Sequence, residues 1–179
     1  MAQISERWSD LAARMASGAA MVVIGLIGIT LGGIAFHIMV AIICGIMAWE
    51  LVGMLNPDSR SLRWQLGVLV GVATMAAIYL PVGFALPVLL APALVGFGQL
   101  EKHRTVFMCF TVMIMLAGYG LVQVRDDFGF GWLMWLVLVV VVTDIVGYFA
   151  GRAIGGPKFW PKVSPKKTWS GTAAGWIGA

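Results

Sequence analysis

Charge is scarce in this chain. Of its 179 residues only 11% are Asp, Glu, Lys or Arg, while 60% are hydrophobic. A soluble domain carries roughly twice that charged share, so an ordinary water-facing surface is excluded. Cysteine is almost missing too. Cys44 and Cys109 stand inside apolar runs with no second Cys or His at ligand spacing. That excludes a disulfide framework and a thiolate metal site, and predicts two small buried hydrophobes. His37 and His103 have no carboxylate or cysteine at useful spacing, and both are expected to be structural or solvated. No HExxH, GxSxG or GxxxxGK[ST] pattern occurs, which leaves hydrolase and P-loop readings without support.

What the chain does hold is long uncharged stretches. Met15–Trp49 gives 35 residues without an acid, Lys or Arg, and Trp64–Leu100 gives 37. Thr105–Val124 and Phe128–Thr143 give 20 and 16 more. A membrane-spanning helix needs about 20 apolar residues, so the fold class is an all-α polytopic membrane protein. The first two stretches suit two crossings each. Gly32-Gly33 and Pro81 with Gly83 supply turns near their midpoints, and Asn56-Pro57 ends the second helix.

The predicted helices are Ala16–Leu31, Ile34–Leu55, Leu66–Leu80, Val82–Gly98, Thr105–Gln123 and Gly131–Ala150. A seventh begins near Thr172. The organisation expected is a polar lead (1–15), six spans in hairpins (16–150), a basic segment (151–171) and the start of a further helix (172–179). The lead and the first apolar run superficially suit a signal peptide, but no clear small-x-small cleavage site precedes a polar domain, so an uncleaved first span is expected. Thr172–Ala179 makes about 12 Å of helix, short of a core of about 30 Å, and the expectation is a fragment.

The cations check this count. With the amino terminus in the cytoplasm, eleven of the twelve Lys and Arg residues fall on cytoplasmic segments, and Arg125 alone lies outside, beside Asp126 and Asp127. Positive charge on the inner side is what membrane insertion selects. The net charge of +4 therefore reflects topology and not nucleic-acid binding.

Chemistry concentrates between Asp144 and Gly171, DIVGYFAGRAIGGPKFWPKVSPKKTWSG. Asp144 is an acid inside an apolar run, where a charge is costly and faces a partner or a polar cavity. Asp144, Gly147, Tyr148 and Gly151 share one helical face by spacing. That face is either a helix contact built on the small-xxx-small pair Gly147 and Gly151, or a metal or substrate ligand set. Glu50, the other acid within a span, either joins Asp144 or reaches the headgroups. Beyond Asp144 come Arg152, Lys158, Lys162, Lys166 and Lys167, with no further carboxylate as far as Ala179. A mere anchor for anionic lipid needs no fixed order. This segment is punctuated by Gly155-Gly156-Pro157, Pro161 and Ser164-Pro165, as a rigid phosphate-binding cluster would require.

The same residues resemble the central signature of the bacterial phosphatidate cytidylyltransferases (CDP-diglyceride synthases). Family members carry an aspartate, a tyrosine four residues on, a G-R pair, a G-x-x-K-like turn and an S-P-K-K-T-W run before a glycine. Asp144, Tyr148, Gly151, Arg152, Gly155, Lys158, Ser164, Pro165, Lys166, Lys167, Thr168, Trp169 and Gly171 match in order, over about 28 residues. Ser170 departs from a glutamate common in the family. A second family signature, with an S-x-x-K-R stretch and a K-D pair, is absent from these 179 residues, which the resemblance implies would leave this chain alone inactive.

The resemblance implies transfer of CMP from CTP to phosphatidate with Mg²⁺, in a bacterial inner membrane, by a possible homodimer. It implies catalytic roles for Asp144, Lys166 and Lys167, substrate binding by Tyr148, Arg152, Lys158, Ser164 and Thr168, and a metal on Asp144. Other readings are a non-catalytic scaffold or transporter subunit whose basic loop binds anionic lipid, and a CTP-using lipid kinase.

Overall fold

The structure, a computed structural model, describes residues 2–162 and 164–179, with the backbone alone for residues 2–14 and Lys166. The side chains of Arg7, Arg14 and Lys166, all used in the sequence analysis, therefore lie outside the described residues.

Seven helices and one small hairpin follow each other: α1 (Ala2–Leu31), α2 (Gly33–Leu55), α3 (Arg60–Tyr79), α4 (Val82–Gln99), α5 (Arg104–Asp127), α6 (Phe130–Ala153), β1 (Lys158–Trp160), β2 (Ser164–Thr168) and α7 (Trp169–Gly178). In hydrocarbon a backbone must satisfy its own N–H and C=O groups, and uninterrupted apolar runs do so as helices. Five of these helices, α2 to α6, are long and apolar enough to cross a membrane. The first expected span is the apolar part of α1, the 17-residue stretch Met15–Leu31. The polar lead continues the same helix back to Ala2. It contains no Gly or Pro to interrupt it and several good helix formers.

The chain divides into two compact units, Met1–Phe130 and Gly131–Ala179. In the first, α2 lies along α3, and α5 packs against α2, α3 and α4. Leu51, Val52, Leu66, Leu100 and Phe107 form a buried cluster, with Phe107 seated on Gly96, where a β-carbon would collide with its ring. The turns fall where expected. Gly32 and Gly33 take φ of +63° and +50°, values that L side chains rarely adopt. Asn56 caps the end of α2, and an extended Leu80 before Pro81 separates α3 from α4.

Four helices are tied together at the end of this unit that carries Gly32 and Leu80. His37, 6% exposed, bonds through Nδ1 to the Tyr79 hydroxyl and through Nε2 to Asp126 Oδ2, each at 2.8 Å. Arg125 donates from Nε to the Ile29 carbonyl at 2.9 Å and lies against Gly32. His37 is thus structural, as expected, but it does have a carboxylate partner, 89 residues away. Cys44 is buried against Gly118. Cys109, expected to be buried, is exposed: on a lipid-facing helix surface a small apolar residue is as well placed outward as inward.

In the second unit the segment predicted as a punctuated loop contains a two-stranded antiparallel hairpin. Lys158 pairs with Thr168 and Trp160 with Ser164, with an irregularity between them.

Candidate functional site

The site is built on a glycine contact. Gly147 and Gly151 on α6 face Gly171 and Gly175 on α7. A β-carbon on Gly147 would stand 3.1 Å from the Gly171 carbonyl oxygen, and one on Gly175 would stand 3.2 Å from the Thr143 carbonyl oxygen. As α6 runs forward its partners on α7 run backward, Thr143 with Gly175 and Gly151 with Gly171, so the two helices are antiparallel. Small residues at fourfold spacing let backbones approach closely where no hydrophobic drive between helices exists. Of the two roles left open for the face holding Gly147 and Gly151, helix packing is the one these glycines perform.

The hairpin is strapped across the open end of this helix pair. Gly155 and Gly156, with φ of +66° and +104°, turn the chain out of α6. The Trp169 amide donates to the Pro157 carbonyl at 3.1 Å, and the Phe159 and Trp169 rings meet edge to face with centroids 4.7 Å apart. Ser170 donates to the Gly155 carbonyl. Its hydroxyl at the place of the family's common glutamate therefore closes the strap itself.

Thr168 is the joint. Only 6% exposed, it is the N-cap of α7, its Oγ1 accepting from the Gly171 amide at 3.3 Å. The same oxygen lies 3.1 Å from Ser170 Oγ, and a β-carbon on Gly151 would stand 2.9 Å from it. Its carbonyl accepts from Thr172 Oγ1 at 3.1 Å. This cap starts α7 at Trp169, three residues before the expected start. The hydroxyl that sequence reasoning gave to a phosphate is thus occupied in holding the hairpin on Gly151.

Asp144, Tyr148, Arg152, Lys158 and Lys167 face outward. Arg152, in the last turn of α6, is exposed and donates from Nη1 to the Tyr148 hydroxyl at 3.1 Å. Lys158 on β1 and Lys167 on β2 are exposed, and Ser164 is half-buried at the start of β2. The structure therefore joins Tyr148 to Arg152 and sets Lys158 opposite Thr168. Asp144 is exposed on α6 and has no hydrogen-bonding partner among the described residues. Residues 145–179 contain no carboxylate, so the cations of the hairpin have no acidic side chain of their own segment to neutralise them. An anion with several oxygens is the ligand such a surface suits.

A metal has thinner support. Among the described residues no three His, Cys, Asp or Glu side chains gather, and Asp144 is the sole carboxylate of residues 131–179. Mg²⁺ is commonly held by one or two carboxylates together with substrate phosphates. Asp144 fits that mode and no all-protein cage.

Comparisons with known proteins point to one family. A model of the cytidylyltransferase family matches residues 12–179. The phosphatidate cytidylyltransferase of Brucella abortus (strain 9-941) is 50% identical over 56 residues, 31% of this chain and 21% of that protein. That of Mycobacterium tuberculosis (strain ATCC 25618 / H37Rv) is 32% identical over 73 residues, 41% of this chain and 22% of that protein. That of Chlamydia pneumoniae is 37% identical over 62 residues, 34% and 20% respectively. The chain thus spans about a fifth of the length of the curated relatives it matches. No solved structure matches it significantly.

Proposed function

The chain belongs to the cytidylyltransferase family, and from that premise we propose that it serves transfer of CMP from CTP to phosphatidate, giving CDP-diacylglycerol and pyrophosphate. The observation that carries this reading is the strapped hairpin: an ordered cationic surface without carboxylates, fixed on the end of a membrane-spanning helix.

In the reaction an oxygen of the phosphatidate phosphate attacks the α-phosphorus of CTP. The new P–O bond forms as the bond from the α-phosphorus to the bridging oxygen breaks, and pyrophosphate leaves with that electron pair. The protein's task is to position two polyanions and to hold the charge that shifts onto the leaving group. Arg152, Lys158, Lys166 and Lys167 take the phosphate oxygens, and Arg152 is oriented for this by Tyr148. Ser164 offers a hydroxyl to the same oxygens. Thr168 acts here as a positioning residue, through the cap it forms. Mg²⁺, when bound through Asp144 and the substrate phosphates, supplies further neutralisation.

The distribution of cations supports a bacterial cytoplasmic membrane with the amino terminus and the hairpin on the cytoplasmic side, where CTP is available. The spans leave phosphatidate a lateral route from the bilayer. The family resemblance favours a homodimer.

The test is incorporation of CTP labelled at the α- or the γ-phosphate into lipid, by membranes holding this chain alone and within its full reading frame. Label from the α-position in a CDP-diacylglycerol product supports the reading. Label from the γ-position would make the protein a CTP-using lipid kinase. No label from either form would return it to a scaffold whose hairpin binds anionic lipid.

A further inference from the structure

The unit Met1–Phe130 carries a second feature that does not rest on the reading above. Between α2 and α3 lies an apolar groove of about 660 Å³, running from Ile38 to Trp49 on one helix and from Met75 to Trp64 on the other. Eleven residue steps make it roughly 16 Å long. Its floor is glycine: a β-carbon on Gly45 would stand 2.9 Å from the Gly67 carbonyl oxygen, and one on Gly71 3.2 Å from that of Ala41. The two backbones meet there, and Ile42, Ile46, Val68 and Val72, all more than half exposed, rise on either side as walls.

These glycines are used up in the α2–α3 contact, so none is left to receive a third helix. A single hydrocarbon chain, which needs no close backbone approach, suits the groove better.

At the tryptophan end the chemistry changes. Trp49 and Trp64 lie with ring centroids 5.8 Å apart. The Arg63 guanidinium stacks over Trp49, 3.9 Å from the ring centroid. It is also pressed onto Gly53, where a β-carbon would stand 2.5 Å from Cζ. A cation clamped this way does not sweep freely through the headgroup region. Trp49 Nε1 and Arg63 Nε are both buried without an acceptor among the described residues, and buried donors left unpaired are destabilising. Both belong to the end of the helix pair where α2 gives way to α3, the depth at which aromatic belts and lipid phosphates meet.

We propose that this groove binds one acyl chain of an anionic glycerophospholipid, whose phosphate is held by Arg63 and Trp49. A zwitterionic lipid offers the same chain and phosphate, but its ammonium group is repelled by Arg63. The site therefore selects on net headgroup charge.

The test uses the whole chain in phosphatidylcholine nanodiscs doped with phosphatidylglycerol or phosphatidylcholine carrying a mid-chain diazirine. Photolysis and peptide mapping locate the adducts. The expected result is that phosphatidylglycerol adducts concentrate on Ile42, Ile46, Val68 and Val72, exceeding phosphatidylcholine adducts roughly tenfold, as one charge-assisted hydrogen bond implies. Arg63→Gln abolishes the preference and Arg63→Lys keeps most of it. Trp49→Phe, which retains the ring and removes the donor, lowers it partially and serves if the Arg63 variants do not fold. Equal labelling by the two lipids overturns the proposal, as do adducts spread evenly over the outward faces of α4 and α5. Efficient disulfide cross-linking of two Ile42→Cys chains would also overturn it, by placing a second copy in the groove.

Discussion

Gly147 and Gly171 meet backbone to backbone: a β-carbon on Gly171 would stand 2.5 Å from the Gly147 carbonyl oxygen. Neither helix has anything flexible there to give way. Gly171→Val is therefore expected to force α7 off α6, with overpacking that costs about 1–3 kcal/mol. Thermal unfolding in detergent should show the loss. A Gly171→Val chain as stable as wild type would mean that α6 and α7 are not held by this contact.

Thr168 allows a finer cut. Thr168→Ser keeps the capping oxygen, whereas Thr168→Val keeps the shape and removes it. Losing a helix N-cap costs about 1 kcal/mol, so hydrogen exchange at the Gly171 amide should speed up several-fold in the valine variant and stay near wild type in the serine variant. If Thr168 instead binds phosphate directly, CTP affinity should fall in the valine variant without any change in exchange.

His37, Tyr79 and Asp126 form a test of the other unit. Replacing His37 by Ala leaves two polar groups without their partner, at about 1–3 kcal/mol. His37→Ala and Asp126→Ala should be strongly non-additive in a double-mutant cycle, with a coupling of about 0.5–3 kcal/mol. Additive losses would mean that the 2.8 Å contact contributes nothing.

For the proposed reaction, Arg152→Ala is expected to lower CMP transfer about 10²–10³-fold, the scale for removing one electrostatic stabiliser. Tyr148→Phe removes only the hydrogen bond that orients Arg152 and should cost much less. A hairpin with the same cations in scrambled order should be inactive, and one with full activity would reduce the segment to a charge anchor.

Much of this architecture is legible in the sequence because a bilayer restricts the backbone so severely. Four uncharged stretches, a Gly-Gly, an Asn-Pro and a proline were enough to place most helix ends within a few residues. Which face of each helix is buried was not legible. Along α2 the buried stripe runs Phe36, His37, Val40, Ala41, Cys44, Ala48, Leu51 and Val52, while the outward residues, Glu50 apart, are just as apolar. Without polar contrast there is no amphipathic signal to read. Cys109 was misplaced for that reason.

In the site, the residue order pointed to Asp144–Gly171, but the hairpin was hidden. A three-residue strand and a five-residue strand holding a proline carry too weak a local preference, and the Phe159–Trp169 contact that accompanies their pairing follows no spacing rule. The engagement of Thr168 was invisible for the same reason, since it depends on where Gly151 lies. The partnership of His37 and Asp126 joins residues too distant for any spacing rule.

That difference in distance has a kinetic side. Every glycine contact of the α6–α7 pair joins residues at most 32 apart, as from 143 to 175, and the hairpin closes over fewer. His37 must wait for a residue 89 positions later. Closing a short loop takes less entropy and less time than closing a long one. The cationic segment is therefore a local folding unit that can assemble soon after its own residues leave the ribosome, while the α1–α5 unit is sealed only once α5 has been inserted.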